Sequence, residues 1–323
     1  MKIESILTKR SFEHWPSYDL VYEWEDILAT KLGCPLVNEN KMLYHRYFKR
    51  VPFIPYLFQP RKISFKFEMS PILKHRIDNR KNFVPCIIDY YLHDDRLPDL
   101  ISSYNRNSVV CISSKEVYDH LLEKGVKEKL NIEHLALSIS DKYRITEESV
   151  FEKKYDLVLM GRQNPVLKDF LDTYEKKHKD LYYVYREKKG NEFLYYTSRG
   201  ECLGNIDTRE KYMSLMKLAK CGLYSTPGID GGESRTNGFS QVTPRFLELI
   251  ACGCHIIARY KQNSDTDHYQ LGDFSQSIDD YESFERALDL YRNSNVDMAK
   301  YSKYLSNHYT SNRAECLSKL IEL

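Results

Sequence analysis

The sequence predicts an α/β protein made of two doubly wound domains. Three observations predict it. Apolar runs of four to six residues alternate with amphipathic stretches of helical length along the whole chain. Such runs read as strands buried on both faces, and the alternation reads as parallel crossover units. A length of 323 residues suggests about two domains. Of thirteen glycines, only Gly33 and Gly125 precede residue 150, so composition changes across the polar stretch Lys142–Lys154. The predicted division is 1–150 and 151–323, with the last helix able to pack back on the first domain. Two such domains face a cleft, and ligands bind outside the carboxyl ends of the strands.

The elements follow in order. Met1–Leu7 reads as a strand. Tyr18–Leu32 is an amphipathic helix stopped by Gly33. Phe83–Ile88 is a buried strand, Leu97–Tyr104 a helix, and Ser108–Ile112 a second buried strand. Ser113 and Ser114 read as caps for a helix over Glu116–Lys124, which Gly125 closes. Ile132–Leu137 leads out of the first half. In the second half, strands are predicted at Tyr155–Met160, Leu181–Tyr185, Gly222–Ser225 and His255–Arg259. Helices are predicted at Val166–His178, Thr208–Lys220, Pro244–Ala251 and Phe284–Arg292, with more helix out to Leu323.

Composition removes several classes. Apolar residues are 42 % and charged residues 29 %, which is globular rather than disordered. The N-terminus lacks the apolar core of a signal peptide, and no stretch approaches the ~18–20 apolar residues that span a bilayer. The eight cysteines are scattered. Cys252-Gly253-Cys254 has no second pair or histidine cluster to complete a zinc site. The expectation is a reduced, cytoplasmic protein.

Charge is located. The net charge is +2, yet residues 41–82 hold eleven Lys/Arg against Glu68 and Asp78, a local +9 that leaves −7 elsewhere. Tyr44, Tyr47, Phe48, Phe53, Tyr56, Phe58, Phe65 and Phe67 interleave with these cations. Three readings stand: a solvated face over ordinary core, a surface that lies on anionic lipid, or a single-strand nucleic-acid binder. No nucleic-acid motif supports the third.

The segment from Thr226 to Cys254 carries the chemistry. After a strand ending at Ser225, a loop holds Gly228, Gly231, Gly232 and Gly238. Thr243 then reads as N-cap and Pro244 as the first helical residue. A Gly-rich loop entering a helix is an anion site, because free amides and the helix dipole converge there. Arg245 opposes that dipole, so pairing with a phosphate would explain it. Glu248 is placed to accept two ribose hydroxyls. The same residues also fit a surface loop followed by a core helix.

The run Pro244-Arg-Phe-Leu-Glu-Leu-Ile-Ala-Cys-Gly resembles the R-F-x-E-x-x-A-C-G signature of group 1 glycosyltransferases with the GT-B fold. It is nearest to their CgeB-like branch and related to the GT4 family. A second match is separate: Tyr155–Met160 is followed by Gly161-Arg162, with Lys168 six residues on. The resemblance implies that Glu248 holds the ribose of a nucleotide-sugar and that Gly161 and the Thr243–Pro244–Arg245 turn meet its diphosphate. Arg162 and Lys168 would neutralise the leaving diphosphate, as fixed cations can. Gly204–Met213 resembles a stretch near the nucleobase, which places Asn205 there. Many GT4 enzymes carry a second Glu eight residues before the first; here it is Ser240, so neither retention nor inversion is implied.

In the first half, Asp89 and His93 follow a buried strand, where a base for the acceptor hydroxyl would sit. Helix capping by Asp94 and Asp95 with a solvated His93 is the alternative. The combined expectation is a metal- and cofactor-independent glycosyltransferase. Its partners would be a nucleotide-sugar donor, a saccharide or lipid-linked saccharide acceptor, and an anionic membrane surface meeting residues 41–82, with no nucleic acid. The implied setting is capsule or O-antigen assembly on the inner face of the cell membrane. The rivals are a nucleotide-sugar epimerase or hydrolase on the same fold, and a non-catalytic nucleotide-sugar-binding module.

Overall fold

The computed structural model describes residues 2–14, 16–39, 63–73, 79–190, 192–231 and 236–322. The chain divides into two compact units: Met1–Asp141 with Tyr309–Leu323, and Lys142–His308.

Unit 1 holds a sheet of β1 (Ile3–Thr8), β2 (Leu36–Asn38), β3 (Ile63–Glu68), β4 (Phe83–Ile87), β5 (Val110–Ile112) and β6 (Ile132–His134). Their order is β2-β1-β3-β4-β5-β6, and every pair is parallel. All five positions of β4 are buried, as its unbroken apolar run requires. The helices are α1 (Pro16–Leu32), α2 (Leu97–Tyr104) and α3 (Lys115–Glu123), with Thr310–Glu322, α10 in chain order, packed against α1. Gly33 ends α1 at φ +61, and the Cys34 amide reaches back to the Ala29 carbonyl at 3.0 Å, a left-handed C-terminal closure. Ser114 caps α3 by accepting from the Val117 amide. Ser113 does not cap; its hydroxyl donates to the Ile88 carbonyl at 2.6 Å. The core joins Ile6, Phe65 and Val84 to Leu28 of α1 and to Leu317 and Ile321 of α10.

Strand β3 lies inside the basic stretch, where charge density concealed it. Phe65 is fully buried and Lys66 is 3 % exposed, so neither belongs to an exterior basic face. Tyr44, Tyr47, Phe48, Phe53, Tyr56 and Phe58 lie outside the described residues, as do most of the cations of 41–82.

Unit 2 holds β7 (Tyr155–Val158), β8 (Tyr183–Lys189), β9 (Glu192–Thr197), β10 (Cys202–Asn205), β11 (Ala219–Ser225) and β12 (His255–Arg259). Their order is β10-β9-β8-β7-β11-β12. The pairs β8–β7, β7–β11 and β11–β12 are parallel. The pairs β8–β9 and β9–β10 are antiparallel, so the expected all-parallel sheet ends in an antiparallel edge. The cause is local: Gly190 at φ +62 follows β8 and Gly200 at φ +85 follows β9, and such residues turn a chain back on itself. Helices α4 (Pro165–Lys177), α5 (Arg209–Lys217), α6 (Arg245–Ala251), α7 (Ser264–His268), α8 (Tyr281–Arg292) and α9 (Met298–Leu305) complete the unit. Asn164, Thr208, Asn263, Asp280 and Asp297 cap five of them through side-chain oxygens.

The abundance of tyrosine has a packing reason. Tyr174, Tyr224 and Tyr104 are almost fully buried, and each hydroxyl finds a partner: Asp289 at 2.5 Å, the Thr243 amide at 3.0 Å and Glu68 at 2.6 Å. A buried ring with a bonded hydroxyl contributes apolar area without an orphaned polar atom. Cys252 and Cys254 are buried, and the Cys254 thiol donates to the Met216 and Ala219 carbonyls. Among the described residues, no helix is long and apolar enough to cross a membrane.

Two stability predictions follow from this packing. A Cβ built on Gly222 of β11 meets Leu249 Cδ2 at 2.2 Å. Gly222→Ala should therefore cost about 1–3 kcal/mol by overpacking in urea denaturation, and adding Leu249→Ala should return part of it. Glu25 of α1 is 3 % exposed; burial pushes its carboxyl up to about 7, with Thr8 and Arg10 opposing. The folded state thus holds a proton that the unfolded chain releases near pH 4.5, so stability falls as pH rises from there through about 7. Glu25→Gln should abolish that fall, on the order of 3 kcal/mol, when denaturation midpoints are compared across pH.

Candidate functional site

In unit 2 the chain passes from β7 to β8 on one side and later returns to β11 on the other side of β7. That reversal leaves a crevice outside the carboxyl ends of β7 and β11. The Gly161-Arg162 turn follows β7, and the Gly-rich loop from Thr226 follows β11.

Gly161 has φ +69, a left-handed conformation natural to glycine. A Cβ there would lie 2.1 Å from Arg245 Nη2, so the guanidinium of Arg245 rests directly on this backbone. Arg245 Nη1 donates to the Arg162 carbonyl at 3.1 Å. Burial opposes the charge on Arg245, but the hydrogen-bonded Tyr212 phenol and Glu248 outweigh it and hold the guanidinium above its ordinary value. Arg245 Nε has no hydrogen-bond partner among the described residues.

Helix α6 begins at Arg245, one residue later than expected, although Pro244 already has helical torsions at φ −55, ψ −23. Thr243 does not cap the helix through its side chain. Its amide donates to the Tyr224 hydroxyl at 3.0 Å. The buried Asp265 carboxylate accepts from the Val242 amide at 2.5 Å, so α7 fixes the chain entering α6. Ser240 is likewise buried, its hydroxyl 2.6 Å from that of Thr226.

Glu248 is 4 % exposed. Its Oε1 lies 2.5 Å from Arg209 Nη2, and Arg209 stacks over Tyr143 and Tyr212 at 5.7 and 5.3 Å. Sequence reading missed Arg209, although it lies in the Gly204–Met213 stretch already singled out. It also missed the residues that β8 and β9 bring in. Burial lowers the Arg186 guanidinium, with Tyr195 opposing and Arg245 adding to the shift. The Gly161 amide bonds to the Tyr195 phenol. Neither residue stands in a recognisable motif; only the antiparallel edge brings them to β7.

The remaining expected residues divide. Arg162 is exposed beside Gly161. Lys168, one turn into α4, forms an ion pair with Asp172, and Asn205 is exposed at the end of β10. Among the described residues, no hydrogen bond or ion pair joins Lys168 or Asn205 to Arg245 or Glu248. Asp230, at φ 55, accepts two bonds from Arg259 at 2.6 and 2.8 Å and one from Asn164 at 2.8 Å, tying the loop after β11 to β12 and to the start of α4. In unit 1, Asp89 follows β4 and its amide donates to the Met69 carbonyl at 2.9 Å. His93 is exposed before a short 3-10 turn, Asp94–Arg96, which it does not cap. Asp94 pairs with His120 and Lys124, both at 2.7 Å.

Arg186 and Arg245 thus come within electrostatic reach of each other beside the Gly161-Arg162 turn, while the buried carboxylate Glu248 is held by Arg209. The arrangement favours an anion.

No protein-family model and no curated protein matches the chain. Solved structures do match in fold. AviGT4, a glycosyltransferase involved in avilamycin A biosynthesis, has a TM-score of 0.59 at 9 % identity, covering 99 % of this chain and 97 % of its own. Sucrose-phosphate synthase from Thermosynechococcus elongatus has a TM-score of 0.55 at 10 % identity, covering 98 % and 95 %. The chain spans 56 % of the pneumococcal O-GlcNAc transferase GtfA, with a TM-score of 0.47 at 10 % identity over 80 % of this chain. The fold is GT-B.

The contact between Gly161 and Arg245 is testable by a double-mutant cycle. Gly161→Ala should cost about 1–2 kcal/mol from the left-handed torsion plus the displacement of Arg245. In the Arg245→Ala background the second part should vanish, leaving a coupling of about 0.5 kcal/mol or more between the two sites in chemical denaturation.

Proposed function

We propose that this chain is a glycosyltransferase that moves a sugar from a nucleotide-diphosphate donor to a hydroxyl of a saccharide acceptor. One observation carries the reading: the Arg245 guanidinium lies against the Gly161-Arg162 turn after β7, within electrostatic reach of Arg186 and beside the buried Glu248. The neighbouring guanidiniums of Arg245 and Arg186 suit a diphosphate, and a buried carboxylate suits a ribose diol. The GT-B fold agrees with it.

In the proposed reaction, the bond between the sugar's anomeric carbon and the β-phosphate oxygen breaks, and its electron pair stays on that oxygen. Arg162, Arg245 and Lys168 stabilise the charge that develops there. Gly161, Thr243 and Pro244 shape the backbone around the diphosphate, Glu248 holds the ribose and Asn205 approaches the base. The acceptor oxygen bonds to the anomeric carbon, and its proton passes to a base, for which Asp89 and His93 are the candidates. Arg209 orients Glu248 by holding one carboxylate oxygen and leaving the other for the donor.

The finer reading is a lipid-linked acceptor in the assembly of a bacterial surface polysaccharide such as capsule or O-antigen. The enzyme would be cytoplasmic and peripheral on the inner membrane face. It rests on the +9 charge of residues 41–82, since each Lys or Arg near an anionic surface contributes about 1 kcal/mol.

Thermal melts with UDP, GDP, dTDP and ADP test the donor reading. One nucleotide should raise Tm, by the equivalent of about 2.7 kcal/mol at a hundredfold excess over Kd. Glu248→Ala and Arg245→Ala should each remove most of that shift. No shift with any nucleotide, or shifts untouched by both variants, would falsify the proposal.

A further inference from the structure

The turn after β7 spends its backbone groups on protein partners. The Met160 and Gly161 carbonyls accept from the Gln163 side-chain amide at 2.8 and 3.2 Å. The Arg162 carbonyl accepts from Arg245 at 3.1 Å. The Gly161 amide donates to the Tyr195 phenol oxygen. A left-handed turn at a strand end ordinarily offers its amides to an anion. Here the Gly161 amide is already taken, and the group that takes it is a hydroxyl.

Strand pairing holds that hydroxyl in place. Val184 of β8 lies beside Val158 of β7, and the Leu159 amide continues the ladder to the Val184 carbonyl at 2.8 Å. Two residues further on, Arg186 stands directly opposite Tyr195 of β9. Tyr195 is 4 % exposed. The Arg186 guanidinium donates to its oxygen. Phe193, the diagonal neighbour of Arg186 across the pair, has its ring 4.2 Å from the guanidinium carbon. That stacking limits where the cation can go.

One proton remains. A phenol has a single donor hydrogen and an oxygen that accepts. The Tyr195 oxygen accepts from both the Gly161 amide and Arg186, so its own hydrogen is left to give. No acceptor for it stands among the described residues. A buried donor left without an acceptor is costly. The surroundings select what would accept. Arg186 and Arg245 act on Tyr195 and on each other, and like charges in a partly desolvated site disfavour one another. Arg245 Nε is a further buried donor without a partner. An anionic oxygen would take the Tyr195 proton and neutralise the neighbouring guanidiniums together. A cation would worsen the repulsion, and an apolar group would satisfy no donor.

We propose that the Tyr195 hydroxyl is a phosphate-binding group, passing the hydrogen bond of the Gly161 amide on to an oxygen of the donor's diphosphate with Arg186 beside it. The inference rests on the donor reading and deepens it: a neutral donor from the antiparallel edge replaces the amide that the turn has already used. Donation by the amide and by Arg186 into the phenol oxygen polarises its O–H bond and strengthens the onward bond.

Titration calorimetry of the full chain with inorganic pyrophosphate and with UDP, GDP, dTDP and ADP tests this. Tyr195→Phe should bind pyrophosphate and the preferred nucleotide about tenfold or more weakly, the loss expected for a hydrogen bond to a charged group. Arg186→Gln should weaken both by at least as much. Tyr185→Phe, on the opposite face of β8, should change neither. A hydroxyl that only supports the turn would lower the ligand-free Tm of Tyr195→Phe and leave its affinities within about twofold of wild type, which overturns the proposal. So does undiminished affinity in Arg186→Gln, a variant that keeps the bond between Gly161 and Tyr195. Pyrophosphate carries no nucleoside, so the two readings separate. Pyrophosphate binding that needs Tyr195, without binding of any nucleotide, supports the Tyr195 contact and overturns the donor reading. Nucleotide binding lost in Arg245→Ala but kept in Tyr195→Phe overturns this inference alone. No binding of any of these ligands by the wild type overturns both.

Discussion

The contact on which unit 2 turns is the Arg245 guanidinium resting on the backbone of Gly161. The guanidinium occupies the space that any side chain at position 161 would take. From there it donates to the Arg162 carbonyl and meets Tyr212 and Glu248. One planar cation therefore joins the end of β7, the first turn of α6 and, through Tyr212, the body of α5. The left-handed torsion of Gly161 makes the approach possible, because only a residue without a Cβ leaves that surface open. The buried Glu248 is tolerable for the same reason, since Arg209 and Arg245 flank it and an isolated buried carboxylate is not.

Both units spend buried charge in the same topological place. Each sheet reverses its strand order once, and near each reversal buried or half-buried ionisable side chains stand: Lys66 and Glu68 on β3 in unit 1, and Arg245 and Glu248 on α6 in unit 2. In unit 2 the groups are mainly guanidiniums around a strand end, with carboxylates assigned to partners. In unit 1 the charges are nearly balanced, with Lys66 paired to Glu39 and Arg10 to Asp26. The two edges therefore differ in charge, mainly cationic in one case and nearly balanced in the other. The difference follows from which side chains fill the same geometry.

Much of the fold is legible in the sequence because it rests on local rules. Continuous apolar runs such as Phe83–Ile87 and Val110–Ile112 read as strands buried on both faces, and every position of both is buried. Gly33 and Gly125 end helices because they accept positive φ, and Ser114, Asn164 and Thr208 begin them because their oxygens satisfy free amides. Strand β3 was hidden because its neighbours in sequence are cations, although Phe65 and even Lys66 are buried. The β9–β10 edge was hidden because half-buried strands alternate weakly and their pairing depends on turns at Gly190 and Gly200. Of the candidate site, Gly161, Arg162, Arg245 and Glu248 stand in recognisable motifs. Arg186, Tyr195 and Arg209 do not, because each reaches the site from another element.

The sequence by itself determined the α/β class, the places of the central strands and of the main helices, and the two stretches, 155–168 and 243–254, that carry the resemblance to group 1 glycosyltransferases. These depend on periodicity, capping and residue spacing, all of which are properties of neighbours along the chain. Only the tertiary structure decided that Arg245 lies on Gly161, that Arg209 holds Glu248, and that Glu25 is buried beside Thr8 and Arg10. Those facts depend on which strand ends are adjacent in a sheet, and adjacency between residues far apart in sequence is settled by strand order rather than by local pattern.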